Sequence, residues 1–368
     1  MNPIDRLEEI VRAPYEYARR WKARTGKPVI GYLCSYTPEE IIHAAGALPL
    51  RLFGDTARIA AADGHLQAYS CSLVRGVMAE AVEGNLDVLS GAVFPHTCDS
   101  IQRLSDLWRI NAGFDFHADL VLPVKLTTES ARHYLKAVLA RFAESLGAAF
   151  GTAVDPDRLR TSARTFNRIR RALAGLYRIR AERPERLPSE TLYTAVRAAM
   201  IADRDELPEL LEDLQRDAAA DRTGGGEGGQ PKRLLLSGGL CRIPAVYRIV
   251  EAAGAAVVDD DLCTGRRFFQ GDIDTDGDIL GAVAERYAQR IVCPAKHRGL
   301  TARSGHLLQQ ARDSRSHGVV FFFLKFCDPH GFDYPHLKAA LAEAGIPSLL
   351  LEIEEPVASE GQLATRIE

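Results

Sequence analysis

No stretch of the 368 residues reaches the roughly 20 consecutive apolar positions that a bilayer-spanning helix needs, and the opening Met1-Asn-Pro-Ile-Asp-Arg6 has no apolar signal core. These absences argue against a membrane partner and against export, and the expected location is the cytoplasm. A long basic run is also missing. With 46 Lys+Arg against 49 Asp+Glu, the charge pattern of a phosphate-backbone binder is not there, and nucleic acid is not an expected partner. Cys-x-x-Cys spacing, the usual mark of zinc ribbons and ferredoxin-like sites, does not occur. The glycine-dense run Gly224 to Gly229 lacks both a Walker lysine-threonine pair and a following helix. It therefore reads as a flexible linker and not as a phosphate cradle.

Cysteine itself is present, at positions 34, 71, 98, 241, 263, 293 and 327. An odd number of cysteines without an export signal argues for reduced thiols over a disulfide framework. A single free cysteine is usually just a small buried hydrophobe. Here, however, Cys34, Cys71, Cys98, Cys263 and Cys293 all stand at or near junctions with turn formers or polar residues. The clearest junction is Gly91-Ala-Val-Phe-Pro-His-Thr-Cys98-Asp99, where an apolar run of strand length enters a cysteine and an aspartate. Reacting groups in parallel α/β sheets collect just past such strand ends. Gly318-Val-Val-Phe-Phe-Phe-Leu-Lys-Phe-Cys327-Asp328 repeats the design.

Taken in order, residues 1 to about 25 have the apolar spacing of one amphipathic helix. Pro28 to Cys34 predicts a strand. A helix follows from Glu39, with Thr37 as N-cap and Pro38 in its first position, and ends at Gly46. Leu48 to Phe53 is the next strand, Cys71 opens another helix running toward Gly84, and a helix through Trp108 follows Cys98. Ala118 to Pro123 predicts a further strand. Long helical periodicity, broken near Pro184 and Pro188, then continues to about Asp221.

The second half repeats the first. Leu234 to Cys241, a helix, Ala252-Ala-Gly254 and a strand match Val29 to Cys34, a helix, Ala44-Ala-Gly46 and a strand. Cys34 corresponds to Cys241, Cys71-Ser-Leu-Val-Arg-Gly76 resembles Cys293-Pro-Ala-Lys-His-Arg-Gly299, and Cys98-Asp99 resembles Cys327-Asp328. The expectation is an α/β fold of two similar flavodoxin-like or Rossmann-like parallel-sheet domains with a helical insert between them. The boundaries are 1–127 for the N-terminal helix and first α/β domain, 128–222 for a helical arm, 223–230 for the linker and 231–368 for the second α/β domain. Any metal site must then be assembled from separate strand ends. Iron-sulfur clusters suit such long-range ligation, and zinc on three or four thiols is the metal alternative.

The chain resembles the large-component subunits of 2-hydroxyacyl-CoA dehydratases and their relatives, the ATP-dependent benzoyl-CoA reductases and double-cubane cluster proteins. The resemblance rests on Gly31-Tyr-Leu-Cys-Ser-Tyr-Thr-Pro-Glu-Glu40 with Ala44-Ala-Gly46, Phe94-Pro-His-Thr-Cys-Asp99, Asp259-Asp-Asp-Leu-Cys-Thr-Gly-Arg266, Lys325-Phe-Cys-Asp-Pro329 and Gly361-Gln-Leu-Ala-Thr-Arg366. It implies one [4Fe-4S] cluster per chain, held by Cys71, Cys98 and Cys327 in a cleft between the domains, with one iron free of protein ligands. It also implies an acyl-CoA substrate reduced by one electron to a ketyl radical, an ATP-dependent activator that delivers electrons, and a homologous subunit or a second copy as partner. Dehydratase subunits more often carry serine where Cys34 stands, whereas double-cubane proteins have a fuller cysteine set. Cys34, Cys263 and Cys293, with Cys241 in reserve, could hold a second cube. A non-catalytic metal-binding scaffold subunit is the alternative from another class.

Two polar residues are candidates for catalysis beside the cluster. Glu40, with Glu39, could carry protons or simply favour the positive helix end. His96 could donate to a cluster sulfur or to substrate, or be a satisfied structural histidine. Lys325 and the arginines near Cys293 read as solvated surface over a CoA-phosphate site. The sharpest expectation is geometric. Cys98 and Cys327 end equivalent strands and Cys71 begins the helix nearest Cys98, so the three sulfurs should converge, roughly 6 to 7 Å apart around a small cube.

Overall fold

The computed structural model describes residues 2–56, 58–220, 231–240, 242–290, 293–299, 301–354 and 360–367; Cys241 and the Gly224–Gly229 run lie outside the described residues. Among the described residues, eight strands form two separate sheets. The first contains β1 (Val29–Tyr32), β2 (Leu48–Arg51), β3 (Gly91–Pro95) and β4 (Phe116–Leu120), and the second contains β5 (Lys232–Gly238), β6 (Ala255–Asp261), β7 (Gly318–Leu324) and β8 (Ser348–Ile353). All pairings between them are parallel, and the orders are β2-β1-β3-β4 and β6-β5-β7-β8. The same order twice is the duplicated flavodoxin-like or Rossmann-like architecture that the repeated sequence pattern predicts.

The apolar runs explain the sheets. Every residue of β1, β3 and β7 is buried, as a parallel strand covered by helices on both faces must be. In each order the connections leave in opposite directions from the two central strands, and ligands collect in the crevice at that switch point. Cys34 follows β1, Cys98 follows β3 and Cys327 follows β7. The cysteines therefore stand where the topology opens the sheets.

Local structure departs from expectation in four places. The N-terminal helix is two helices, Pro3–Arg12 and Pro14–Thr25, because Pro14 lacks an N–H and its ring blocks the preceding turn. Thr37 does not cap the helix Glu39–Ala44. Pro38 takes the N-cap position and the Thr37 hydroxyl instead donates to the Leu33 carbonyl at 2.6 Å. That turn is tightened by Cys34, which adopts the left-handed region with φ 58°. β4 begins two residues earlier than the pattern predicts. Finally, Cys293 does not open a helix as Cys71 does, since the next helix starts at Ala302.

Residues 129–219 form the helices Glu129–Phe150, Pro156–Glu182, Ser189–Ala199 and Leu207–Ala219. The 27-residue helix Pro156–Glu182, about 40 Å long, touches both halves of the molecule. Its Arg170 pairs with Glu40 of the first half, Asn167 Nδ2 donates to the Ile273 carbonyl at 2.7 Å, and Tyr177 donates to Asp260 of the second half. One apolar cluster runs from the first sheet through these helices to Cys263, Phe268, Phe269 and Leu324. Among the described residues, no helix is long and apolar enough to cross a membrane.

Candidate functional site

Cys71, Cys98 and Cys327 share one local design. Each is the N-cap residue of a helix: Ser72–Val82, Asp99–Asn111 and Asp328–Glu343 respectively. A sulfur at that position faces the free first-turn amides and the positive end of the helix, both of which favour a thiolate. The amides that act in this way are Leu73 and Val74 for Cys71, Ile101 for Cys98 and the His330 backbone for Cys327.

Burial works against them. It pushes the Cys71 thiol up from its ordinary value. Burial, and then the proximity of Cys71, Cys327 and Cys34, push Cys98 up well beyond that. Burial and then Cys71 push Cys327 up to about 12, with Cys293 adding to the shift. Thiols from both halves therefore lie within electrostatic reach of one another. Cys71 and Cys263 belong to the continuous apolar cluster, and Cys34, Cys98 and Cys327 pack against it.

Contacts between the halves hold this edge together. Arg242, from the loop after β5, donates to the Gly54 carbonyl at 2.6 Å and to Ser72 Oγ at 3.2 Å, which fixes the turn that presents Cys71. The same helix lies so close to Gly54 that a Cβ on Gly76 would sit 2.2 Å from the Gly54 carbonyl oxygen. Below β4, the His297 amide donates to the Val124 carbonyl at 2.9 Å and Lys296 Nζ donates to the Pro123 carbonyl at 3.0 Å, bringing the Cys293 loop against the first half.

Cys34, Cys263 and Cys293 form a second group. The hydrogen bond between Cys263 and Cys293 raises the first and lowers the second, so the pair favours a single shared proton, and Arg267 favours the thiolate form of both. Cys293 lies in the other large apolar cluster, and Cys34 packs against both clusters. None of these three caps a helix. Among the described residues, no three His, Cys, Asp or Glu side chains are grouped to hold a single metal ion.

Glu40 and His96 stand apart from the sulfurs in what they contact. Glu40 is fully buried, pairs with Arg170 and with Arg286 Nη1 at 3.6 Å, and accepts from Tyr287 Oη at 3.1 Å. His96 Nε2 lies 2.9 Å from Asp119 Oδ1, which also accepts from Ser105 at 2.5 Å. Burial, and then Arg109, lower the His96 pKa. Lys325 forms an exposed ion pair with Glu354 at 2.9 Å.

Sequence reasoning missed Asp261, Arg267, Arg303 and His330. Burial alone would raise the Asp261 carboxyl, but Arg267 and Arg303 hold it at about 2. Arg267 also faces Cys293 Sγ at 4.0 Å. His330 Nδ1 lies 3.2 Å from Cys327 Sγ, and its signal was available: a histidine three residues after a helix-capping cysteine shares the first turn with it. A cavity of about 270 Å³ opens at Cys327 and is lined by Phe326, Asp328, Gly331, Phe332 and Glu352 among others. Phe326, immediately before Cys327, is held at φ 66°, a local strain of the kind that clusters at working sites.

Residues 34–368 match the family described as 2-hydroxyglutaryl-CoA dehydratase, D-component. A benzoyl-CoA reductase subunit of Thauera aromatica is 29% identical over 345 residues, covering 92% of this chain and 89% of that one. The (R)-phenyllactyl-CoA dehydratase beta subunit of Clostridium sporogenes is 24% identical over 98% of this chain and 96% of its own, and the lactoyl-CoA dehydratase beta subunit of Anaerotignum propionicum is 26% identical over 99% and 96%. With nearly the whole length matched, two parallel sheets in the same order and thiols gathered at their switch points, the chain belongs to the 2-hydroxyglutaryl-CoA dehydratase D-component family.

Proposed function

We propose that this chain is the iron-sulfur subunit of a cytoplasmic acyl-CoA dehydratase or reductase. In this reading Cys71, Cys98 and Cys327 hold one [4Fe-4S] cluster in a cleft between residues 1–127 and 231–368. The observation that carries the reading is that these three cysteines, from both halves, each cap a helix and oppose one another's ionisation in an apolar setting. Three neighbouring thiolates are costly there on their own and favourable around a cationic group. The donor set suits the group: all sulfur, from separate loops, with amides and a histidine around it. When bound, such a cluster supplies single electrons at low potential and, with three thiolates, leaves one iron open to a ligand.

The protein's own residues bind and orient. The cavity at Cys327, with exposed Phe326 and Phe332 on its rim, receives the acyl end of the thioester. His96, two residues before Cys98 in the chain and held by Asp119, is the proton donor in this reading. Glu40 is enclosed by Arg170, Arg286 and Tyr287, so it exchanges protons by way of the Tyr287 hydroxyl. The named relatives are subunits of larger enzymes, which supports a homologous subunit or a second copy as partner; the ATP-dependent activator as electron donor is carried by the sequence resemblance alone.

A second reading, a double cubane, is favoured by Cys34, which adjoins both sulfur groups, and by the Cys263–Cys293 pair beside Arg267. Iron and sulfide counted on anaerobically purified protein decide between the readings. About four irons per chain is expected, about eight selects the double cubane, and none selects a scaffold subunit. Cys98→Ser and Cys327→Ser should each abolish the oxygen-sensitive absorbance in a folded chain, whereas Cys241→Ser should leave it largely intact. Full iron content in Cys98→Ser would overturn the assignment.

A further inference from the structure

His330 lies in the first turn of the helix Asp328–Glu343, buried against Phe323, with Nδ1 3.2 Å from Cys327 Sγ and Nε2 3.4 Å from Arg267 Nη2. A guanidinium has N–H donors and no lone pair, so Nε2 must face it as an acceptor. The Gly238 carbonyl accepts from Arg267 Nη2 and also lies within reach of the ring, so it is the acceptor that competes with Cys327 for the imidazole proton. A neutral imidazole whose Nε2 is an acceptor carries its single proton on Nδ1, and Nδ1 points at the sulfur. As a cluster ligand Cys327 is a thiolate and can only accept, so with the cluster bound both neighbours select the same tautomer. Arg267 is not free to turn away: its Nε pairs with Asp261 Oδ1 at 2.9 Å and its Nη2 donates to the Asp261 carbonyl at 2.5 Å.

We propose that His330, held by Arg267 in the Nδ1–H tautomer, is a positioning residue that donates a hydrogen bond to the Cys327 sulfur and so sets that ligand's orientation and electron-donor strength. The proposal rests on Cys327 being a cluster ligand. A hydrogen bond to a ligating thiolate withdraws charge from it and favours the more negative, reduced state of the group it holds. The first-turn amides act on all three sulfurs, and Cys327 gains this side-chain donor in addition. Because Arg267 also faces Cys293 Sγ at 4.0 Å, the guanidinium that orients His330 spans both sulfur groups.

Two measurements test this. The first is ¹⁵N NMR of histidine-labelled protein, with and without its cluster, using His330→Asn to assign the resonance. It should report the Nδ1–H tautomer in both states, and an Nε2–H tautomer overturns the proposal. The second is the cluster's reduction potential in wild type, His330→Leu and His330→Asn at equal iron content. The leucine variant should shift to lower potential with an altered spectrum of the reduced cluster, and asparagine, which keeps an N–H near the Nδ1 position, should move back toward wild type. Equal potentials in all three proteins overturn it. If the leucine variant fails to load iron, the asparagine comparison and the tautomer decide. Wild-type protein without iron would instead sink the reading of Cys327 as a ligand, and the tautomer of the cluster-free protein would still be measurable.

Discussion

The two sheets share their strand order but differ in length and in where they keep buried charge. β1 to β4 have 4, 4, 5 and 5 residues, whereas β5 to β8 have 7, 7, 7 and 6. The longer β6 carries Asp259, Asp260 and Asp261 into the interior, and Asp261 is neutralised by Arg267 and Arg303 of the same half. The shorter β2 ends on Arg51, which is buried over the Tyr32 ring and has no hydrogen-bond partner among the described residues for its three guanidinium nitrogens. Glu40 is buried in the first half, as are Glu39 and Glu80, and its arginines come from elsewhere: Arg170 from the long helix and Arg286 from the second half. A duplicated topology has thus kept its cysteine-bearing strand ends while its charges have diverged. Asp261 is balanced within its own half, and Glu40 is balanced across the molecule.

Removing either acid should give the largest effect. Asp261→Asn leaves Arg267 without its carboxylate and Arg303 with Asp333 alone, and Glu40→Gln leaves Arg170 and Arg286 without theirs, a loss of about 3–5 kcal/mol in each case, read as a lowered urea midpoint. The two should differ in reach. Glu40→Gln should also lower hydrogen-exchange protection in the helix Ile279–Gln289, which supplies Arg286 and Tyr287, whereas Asp261→Asn should spare it. Equal protection of that helix in both variants would break the comparison.

The pH dependence of stability should have opposite signs in the two halves. Glu80, on the Cys71 helix, is pushed up to about 7 by burial and accepts from Tyr15 Oη at 2.6 Å. The folded state therefore keeps a proton that the unfolded chain releases, and stability falls as pH rises from about 4.5 to 7, by at most about 3 kcal/mol. Glu80→Gln should flatten that slope in denaturation curves taken across the range. Asp261, held at about 2, contributes stability above the unfolded value near 3.8 that is lost as pH falls toward 2, by about 2 kcal/mol. A profile of Glu80→Gln unchanged between pH 4.5 and 7 would count against the first half of this contrast.

The smallest effects separate packing from backbone conformation at paired glycines. Gly76→Ala drives a Cβ to 2.2 Å from the Gly54 carbonyl oxygen and should cost about 1–3 kcal/mol, and under the proposed ligation by Cys71 the shifted turn should also weaken iron retention. Its sequence counterpart Gly299 has φ 108°, and no described atom lies within 4 Å of the place a methyl group would take there. Gly299→Ala should therefore cost only backbone strain, about 1 kcal/mol. Thermal melts and iron counts on the two variants measure both.

Much of this was legible residue by residue. β3 and β7 could be located because a continuous apolar run bounded by turn residues matches a strand buried on both faces. Gly46 and Gly84 end their helices in the left-handed region, at φ 80° and 76°, as their positions in the pattern predict. Cys71 and Cys98 could be placed at helix starts for the same local reason. Thr37 was misplaced because the left-handed turn at Cys34 redirects its hydroxyl to Leu33. Glu40 looked like a helix-dipole partner, since nothing near it in the chain announces Arg170, Arg286 or Tyr287.

The sequence by itself determined the strand and helix pattern, the doubling of the sheet order and the presence of a cysteine at each opening, because burial and backbone hydrogen bonding follow the local alternation of side chains. Tertiary structure alone decided which sulfurs face one another, which arginine neutralises which acid and which nitrogen of His330 faces Cys327. Glu40 and Tyr287, 247 positions apart, meet at 3.1 Å. The physical reason is that electrostatic and hydrogen-bond energies in a dry interior depend on distance through space, and separation along the chain does not encode that distance.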